Sequence, residues 1–176
     1  TQRLVDELDW LGDVPLVVMH PGGGAGSVFE DPLKRWPSER FVLLANHLTR
    51  QHQARILLVG SEHDKALAAD IAGMTSMHCA NWAGRVTLGE LGALAEIANL
   101  YVGNDTGPTH IAAALCCPTL PIFGPSNPAI SAPYSPKEEQ VVTLWRGGEE
   151  RPFTWQEGVT VGEAGKAADR LLRFKA

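Results

Sequence analysis

The sequence predicts an α/β fold, a Rossmann-like parallel sheet with helices on both of its faces. Short continuous apolar runs alternate with longer segments in which apolar residues recur at helical spacing. The short runs are apolar throughout, as is typical of strands that are buried on both faces. The segments between successive runs are long enough to hold a helix, which a connection between parallel strands requires. Together these observations indicate repeated βαβ units.

The individual elements follow from local patterns along the chain. Pro37 begins a helix in which Phe41, Leu44 and Leu48 fall on one face. Two Thr–Glu pairs with capping-box spacing, at 87–90 and 160–163, precede two further helices. The predicted strands are 15–19, 55–60, 77–80, 100–103, 119–123 and a last one at 140–145, and the predicted helices are one from Pro37, then 63–73, 88–98, 108–115 and an amphipathic helix that ends near Phe174.

Length and composition indicate one globular domain with a short extension. The 176 residues are 44% hydrophobic and 20% charged, which argues against disorder and against membrane insertion. A net charge of −5 argues against nucleic-acid binding by charge neutralisation. The three cysteines form neither a disulfide framework nor a metal-ligand spacing, and a reducing cytoplasmic setting is the simplest interpretation.

The most informative segment is the polar turn between the strand at 100–103 and the Ala-rich helix after it. Such a turn lies at the carboxyl edge of the sheet, where open α/β folds bind ligands. Pro108 suits the first helical position, and the amides of Thr109 and His110 would then face outward and favour a phosphate. Asp105, Thr106, Gly107 and His110 are candidate ligand contacts. The alternative is a capped helix with His110 packed against the sheet.

Two further loops are expected at the same edge. The Gly-rich loop at 20–27 contains Gly23 and Gly24, which allow close approach of a ligand, and Lys34 at the next helix start can pair with a phosphate. The loop lacks the Gly-Lys-Ser/Thr ending of a P-loop. After the second strand, Asp64 or Glu62 can accept hydrogen bonds from ribose hydroxyls, although both also suit the first turn of a helix.

Other polar residues favour structural interpretations. His47, His52 and His78 have no complementary partners in the sequence, and Cys116 and Cys117 end an Ala-rich helix as small buried residues would.

The order of the motifs resembles a known family. The motifs are HPGGG at 20–24, KRWP at 34–37, LLVG at 57–60, AGRVTLGEL at 83–91, VGNDTGPTHIAAA at 102–114 and IFGP at 122–125. This looks like the C-terminal domain of glycosyltransferase family 9, the ADP-heptose:lipopolysaccharide heptosyltransferases, over about residues 14–136. The resemblance implies the donor-binding half of a GT-B enzyme, in which two Rossmann-like domains face a cleft. It also implies a linker or interdomain segment at 1–13, a Rossmann-like nucleotide-sugar-binding domain at 14–146 and a C-terminal extension and helix at 147–176.

The resemblance assigns expected roles to residues of this chain. Lys34 and the amides of Thr106 and Gly107 would contact the donor diphosphate, and Asp105 would contact the transferred sugar or the diphosphate, with His110 nearby. Asp64 occupies the ribose-binding carboxylate position. Val86 occupies the position of an apolar residue that contacts adenine in the family. This chain departs from the family a few positions before Lys34, where it has Phe29 and Glu30 in place of hydroxyl residues.

The family's other domain binds the acceptor and carries the catalytic base, so no catalytic residue is expected in this chain. No cofactor or metal is expected, and the chain by itself should hold the donor without transferring the sugar. The expected partners are an ADP-heptose-like donor and, through the other domain, a lipopolysaccharide-type acceptor. The full enzyme would be cytoplasmic and could associate peripherally with the inner face of the bacterial inner membrane.

Two alternatives remain open at this point. One is a non-catalytic nucleotide or sugar-phosphate binding module that uses the same pocket, which the sequence upstream of Thr1 would distinguish. The other is a related GT-B sugar-nucleotide epimerase, which a comparison of UDP with ADP would distinguish.

Overall fold

The structure is a computed structural model that describes residues 1–23, 32–76, 78–147 and 152–175. Five strands form one parallel sheet: β1 (Leu16–His20), β2 (Arg55–Leu58), β3 (Cys79–Asn81), β4 (Leu100–Asn104) and β5 (Thr119–Ile122). The strand order is β3-β2-β1-β4-β5. The helices are α1 (Gln2–Leu8), α2 (Ser38–His52), α3 (Lys65–Met74), α4 (Leu88–Ile97), α5 (Gly107–Ala114), α6 (Pro128–Ser131) and α7 (Val161–Leu171).

Helices cover both faces of the sheet, as predicted. Successive residues of a strand point to opposite faces, and β1 illustrates the result: Val17 and Met19 join one hydrophobic cluster, while Leu16 and Val18 join the other. The first cluster is completed by α2, α3 and α7, and the second by α1, α4 and α5. The two-sided burial explains why the strands appear in the sequence as continuous apolar runs.

The predicted last strand at 140–145 is wrong as a continuous strand. Val141 and Leu144 form only isolated parallel bridges, to Thr119 and Ile122 of β5. The backbone of Pro121 faces this segment, since its carbonyl accepts from the amide of Leu144 at 2.9 Å. Proline has no amide hydrogen to donate in return, so the ladder is interrupted at its centre.

Local signals fixed two helix starts correctly. Thr87 and Glu90 form a reciprocal capping box at the start of α4, and Thr160 and Glu163 form another at the start of α7. A third capping box joins Ser61 to Asp64 in a 3₁₀ turn (Glu62–Asp64) that precedes α3. The helix predicted at 63–73 therefore begins as this 3₁₀ turn.

The two ends of the chain pack against the body of the domain. Helix α1, in the segment predicted as interdomain, buries Leu4 and Leu8 in the second cluster. Helix α7 lies against α2. There Oδ1 of Asp169 is hydrogen-bonded to Nε2 of His47 at 2.9 Å and to Nε2 of His52 at 2.7 Å. These histidines do have a partner, which sequence inspection missed because it lies more than a hundred residues away. Within the described residues, no helix is long and apolar enough to cross a membrane.

Candidate functional site

The candidate site lies beside β1, where the order in which the chain adds strands to the sheet reverses. Strand β1 is central, the chain proceeds from it to β2 and β3 on one side, and then returns to β4 and β5 on the other. In open α/β sheets this switch point leaves a crevice at the carboxyl ends of the strands. The loops after β1, β2 and β4 meet there, as the sequence predicts.

A cavity of about 470 Å³ opens at this edge. Three of the predicted site residues, Asp64, Val86 and Gly107, line it. One part of the wall is apolar and another is polar, so the cavity suits a ligand with a flat apolar portion and a polar one. The complete lining is His20, Val59, Gly60, Ser61, Asp64, Val86, Thr87, Leu88, Leu91, Gly107, Pro108 and Ile111.

Asn104 ties the loops around the cavity together. This fully buried side chain accepts a hydrogen bond from the amide of Trp36 at 2.9 Å through Oδ1. Its Nδ2 donates to the carbonyl oxygens of Pro21 and Gly22, each at 3.0 Å. One amide therefore fixes the end of β4, the loop after β1 and the entry to α2. The sequence shows an Asn at a strand end but not these partners.

The start of α5 differs from the prediction. The helix begins at Gly107, and Thr106 is its N-cap. The Thr106 carbonyl already accepts from the amide of Thr109 at 3.0 Å and from that of His110 at 3.3 Å. Those two amides therefore do not face a ligand, because an N-cap carbonyl accepts the first intrahelical bonds. The amides of Thr106 and Gly107 have no acceptor among the residues that the structure describes, and they are the donors available at this helix end.

The two carboxylates predicted as alternatives for binding ribose, Asp64 and Glu62, have different environments. Asp64 is buried, and its Oδ2 accepts from the amide and the hydroxyl of Ser61 at 2.8 and 2.7 Å. Burial by itself would raise the pKa of Asp64, but the facing His20 imidazole and the Ser61 donors hold it well below its usual range. Glu62 is exposed and pairs with Lys65 at 2.6 Å. Of the two, Asp64 is the one at the cavity.

Asp105 and His110 lie together beside the cavity rather than in its wall. Asp105 accepts from the Ser131 hydroxyl at 3.3 Å, and its other oxygen is 3.7 Å from Nε2 of His110. The His110 side chain is 42% exposed, so the alternative in which it packs against the sheet is wrong. The Asp105 side chain is more covered, at 13% exposed.

The first-loop residues are only partly described. Gly24, Phe29 and Glu30 lie outside the described residues. Gly23 lies under the Arg35 side chain, since a Cβ on Gly23 would come within 2.9 Å of the Arg35 Nε. Lys34 ends a 3₁₀ turn (Pro32–Lys34) and forms no ion pair with any described residue, so its ammonium is available to an anion. It does not line the cavity itself.

His20 was not among the predicted site residues, although it stands in the HPGGG motif. His20 is the last residue of β1, is 3% exposed and lines the cavity. A single His before a Gly-rich loop carries no signal of its own, and its neighbours come from two other loops. Over the described ranges, no group of three His, Cys, Asp or Glu side chains could hold a metal ion.

Comparisons with known proteins find similar sequences. The family model for glycosyltransferase family 9 (heptosyltransferase) matches residues 6–151. The chain is 34% identical over 131 residues to lipooligosaccharide heptosyltransferase 2 of Haemophilus influenzae, which covers 72% of this chain and 36% of that protein.

Solved structures share the fold over nearly the whole chain. The Escherichia coli ADP-heptose lps heptosyltransferase II aligns with a TM-score of 0.82 and 24% identity, covering 99% of this chain and 51% of that one. The E. coli heptosyltransferase WaaC with ADP aligns with a TM-score of 0.70 and 20% identity, covering 97% of this chain and 48% of that one. The chain thus spans about a third to a half of the length of the proteins it matches.

Proposed function

The chain belongs to glycosyltransferase family 9, and from that membership we propose that it is the donor-binding part of a heptosyltransferase. The donor is an ADP-heptose-like nucleotide sugar, and the transfer builds the lipopolysaccharide core. The names of the relatives support this proposal, since one is a lipooligosaccharide heptosyltransferase and one was solved with ADP. The residue roles below rest on the geometry of this chain.

The observation that carries the proposal is the pair of donors at the start of α5 beside a cavity of nucleoside size. The amides of Thr106 and Gly107 lack acceptors within the described ranges, and the helix dipole adds partial positive charge there. Lys34 supplies a full positive charge from the neighbouring loop. Backbone donors at a helix start, together with a cation from the loop before α2, would suit a diphosphate.

The cavity accommodates the nucleoside in this proposal. Val86 lies in the apolar part of the wall and would contact the adenine, while Asp64 lies in the polar part and would accept from a ribose hydroxyl. Only Oδ2 of Asp64 is engaged by Ser61, so the other oxygen can accept a further bond. Asp105 and His110, outside the cavity wall, would contact the diphosphate or the transferred sugar.

The proposed chemistry is displacement at the anomeric carbon. An acceptor hydroxyl attacks that carbon, the bond from the carbon to the diphosphate oxygen breaks, and the nucleoside diphosphate leaves with the bonding electrons. Lys34 and the amides of Thr106 and Gly107 would stabilise the negative charge that develops on the leaving group. The base that removes the acceptor proton is expected from the family's other domain, so we propose that these 176 residues bind donor without transferring heptose.

The acceptor and the location belong to the same proposal. The acceptor is of the lipopolysaccharide type and binds through the other domain. The three cysteines, all within the described ranges, form no disulfide with one another, which fits a reducing compartment. We therefore propose a cytoplasmic enzyme whose full-length form can associate with the inner face of the membrane.

Calorimetry with ADP and UDP tests the proposal. We expect ADP to bind and UDP to bind at least tenfold more weakly. Equal affinities would instead favour a related epimerase, and no binding of either nucleotide would refute the donor-site assignment. Robust heptose transfer by these residues alone would refute the division of labour between the domains.

A further inference from the structure

His20 has no role in the proposed chemistry, yet it is buried at the centre of the site. Its Nδ1 is 3.2 Å from the hydroxyl oxygen of Thr106. On the other side of the ring, Nε2 is 3.8 Å from Oδ2 of Asp64. The imidazole therefore lies between a carboxylate in the cavity wall and the residue that begins α5.

The charge on Asp64 determines how this imidazole bonds. The ionised carboxylate faces Nε2 and favours a proton on that nitrogen, because an N–H directed at a carboxylate is stabilised. In the neutral ring Nδ1 then has a free lone pair. It accepts a hydrogen bond from the Thr106 hydroxyl, an assignment that follows from the surrounding bonds.

Thr109 reinforces the same direction of bonding. The Thr109 hydroxyl donates to the carbonyl of Asn104 at 2.7 Å, so its hydrogen is already committed. It lies 3.4 Å from the Thr106 hydroxyl and cannot donate to it at the same time. The Thr106 hydrogen is thus directed to His20 or, more weakly, to Thr109.

Thr106 behaves unusually for an N-cap residue. A threonine in this position normally accepts a hydrogen bond from an amide of its own helix through its side chain, and this bond stabilises the helix start. The Thr106 side chain makes no such bond to α5 and is turned toward His20 instead. A contact outside the helix therefore fixes the rotamer of the residue that presents the two available amides.

We propose that His20 is a positioning residue for the donor diphosphate. It holds the Thr106 hydroxyl, and through it the orientation of the Thr106 and Gly107 amides, toward the ligand. The inference rests on the proposed function, because it assumes that the diphosphate binds these amides. It adds a residue that acts through Thr106 and does not itself touch the phosphate.

The test compares three replacements of His20 that retain different parts of the ring. His20→Asn keeps a polar amide near the position of Nδ1, within reach of Thr106. His20→Gln keeps one near the position of Nε2, on the side of Asp64. His20→Ala keeps neither. Each variant is titrated with ADP and with adenosine, which shares the nucleoside and lacks the phosphates, and its thermal unfolding is measured.

We expect His20→Ala and His20→Gln to weaken ADP binding about tenfold, the effect of disturbing one hydrogen bond to a charged group. Adenosine binding should change by less than about twofold. His20→Asn should recover most of the lost ADP affinity. Thr106→Val should weaken ADP binding to the same degree as His20→Ala. The double variant that combines Thr106→Val with His20→Ala should lose no more ADP affinity than either single variant.

The outcomes separate this inference from the proposed function. If the unmodified protein binds no ADP, both fail. If it binds ADP and His20→Ala leaves that affinity unchanged, only the positioning role fails. Equal losses for ADP and adenosine would show general damage to the cavity and overturn the inference, as would additive losses in the double variant.

Discussion

Gly107→Ala should change the stability of the fold and the affinity for ADP in opposite directions. Gly107 is the first residue of α5 and lines the cavity. A Cβ built on it meets no described atom within 4 Å, so the extra methyl group should fit without strain. Replacing a helical glycine should raise stability by about 0.5–1 kcal/mol, because alanine loses less conformational freedom on folding.

The same methyl group should oppose ADP binding. In the proposed complex the diphosphate lies against the Gly107 amide, and the added carbon would occupy space that the phosphate needs. Overpacking by one methyl group costs about 1–3 kcal/mol, so a cost of about 2 kcal/mol corresponds to roughly a thirtyfold weaker ADP affinity. Stability and affinity should therefore change in opposite directions.

Gly162→Ala is the matched control. Gly162 lies in the first turn of α7, and a Cβ on it also meets no described atom within 4 Å. It should show the same gain in urea denaturation without any change in calorimetric ADP affinity. If Gly107→Ala binds ADP as tightly as Gly162→Ala does, the diphosphate does not lie at the start of α5.

The remaining predictions concern charges and one buried amide. Lys34→Ala should weaken ADP binding about tenfold, whereas Lys166→Ala, a change of an exposed lysine on α7, should leave it unchanged. Equal calorimetric affinities of the two variants for ADP would remove Lys34 from the site. Asn104→Ala strips three buried hydrogen bonds and should lower the free energy of unfolding in urea by about 3 kcal/mol; a loss below about 1 kcal/mol would contradict its role in joining the loops. Burial would raise the pKa of Asp169, but the two histidines of α2 lower that pKa overall. The ionised Asp169 therefore contributes its full stabilisation above 3.8, its pKa in the unfolded chain, and this stabilisation is lost as the pH falls through the lower pKa of the folded state. Asp169→Asn should therefore be less stable than the unmodified protein at pH 7, by up to about 1 kcal/mol, and the difference should shrink toward pH 3; a constant difference in unfolding midpoints would refute the ion-pair origin.

Local sequence patterns predicted the elements well where the physical cause was itself local. The capping pair Thr87 and Glu90 placed the start of α4 because the bonds join residues three apart. The continuous apolar run in β1 indicated a strand covered on both faces. The segment at 140–145 failed because its pairing depended on Pro121, in a different strand, which lacks the amide hydrogen that a continuous ladder needs.

The site could be located from the sequence but not assembled from it. The rule for carboxyl edges identified the three loops, and Asp64, Val86 and Gly107 do line one cavity. The residue pattern pointed to the amides of Thr109 and His110 as donors, whereas the family resemblance pointed to those of Thr106 and Gly107. The first expectation was wrong because α5 begins one residue earlier than predicted, so that the Thr106 carbonyl accepts from the amides of Thr109 and His110. The contacts of His20 and Asn104 span more than forty residues of sequence, so no spacing rule could reveal them.

The sequence by itself therefore determined the alternation of strands and helices, the parallel sheet and its family. These follow from the periodicity of apolar residues and from motifs whose members lie close together in the chain. The tertiary structure alone decided which polar groups are available to a ligand, because that depends on which donors the protein has already satisfied with its own distant acceptors. The amides of Thr109 and His110 donate to the Thr106 carbonyl, whereas those of Thr106 and Gly107 have no acceptor within the described residues.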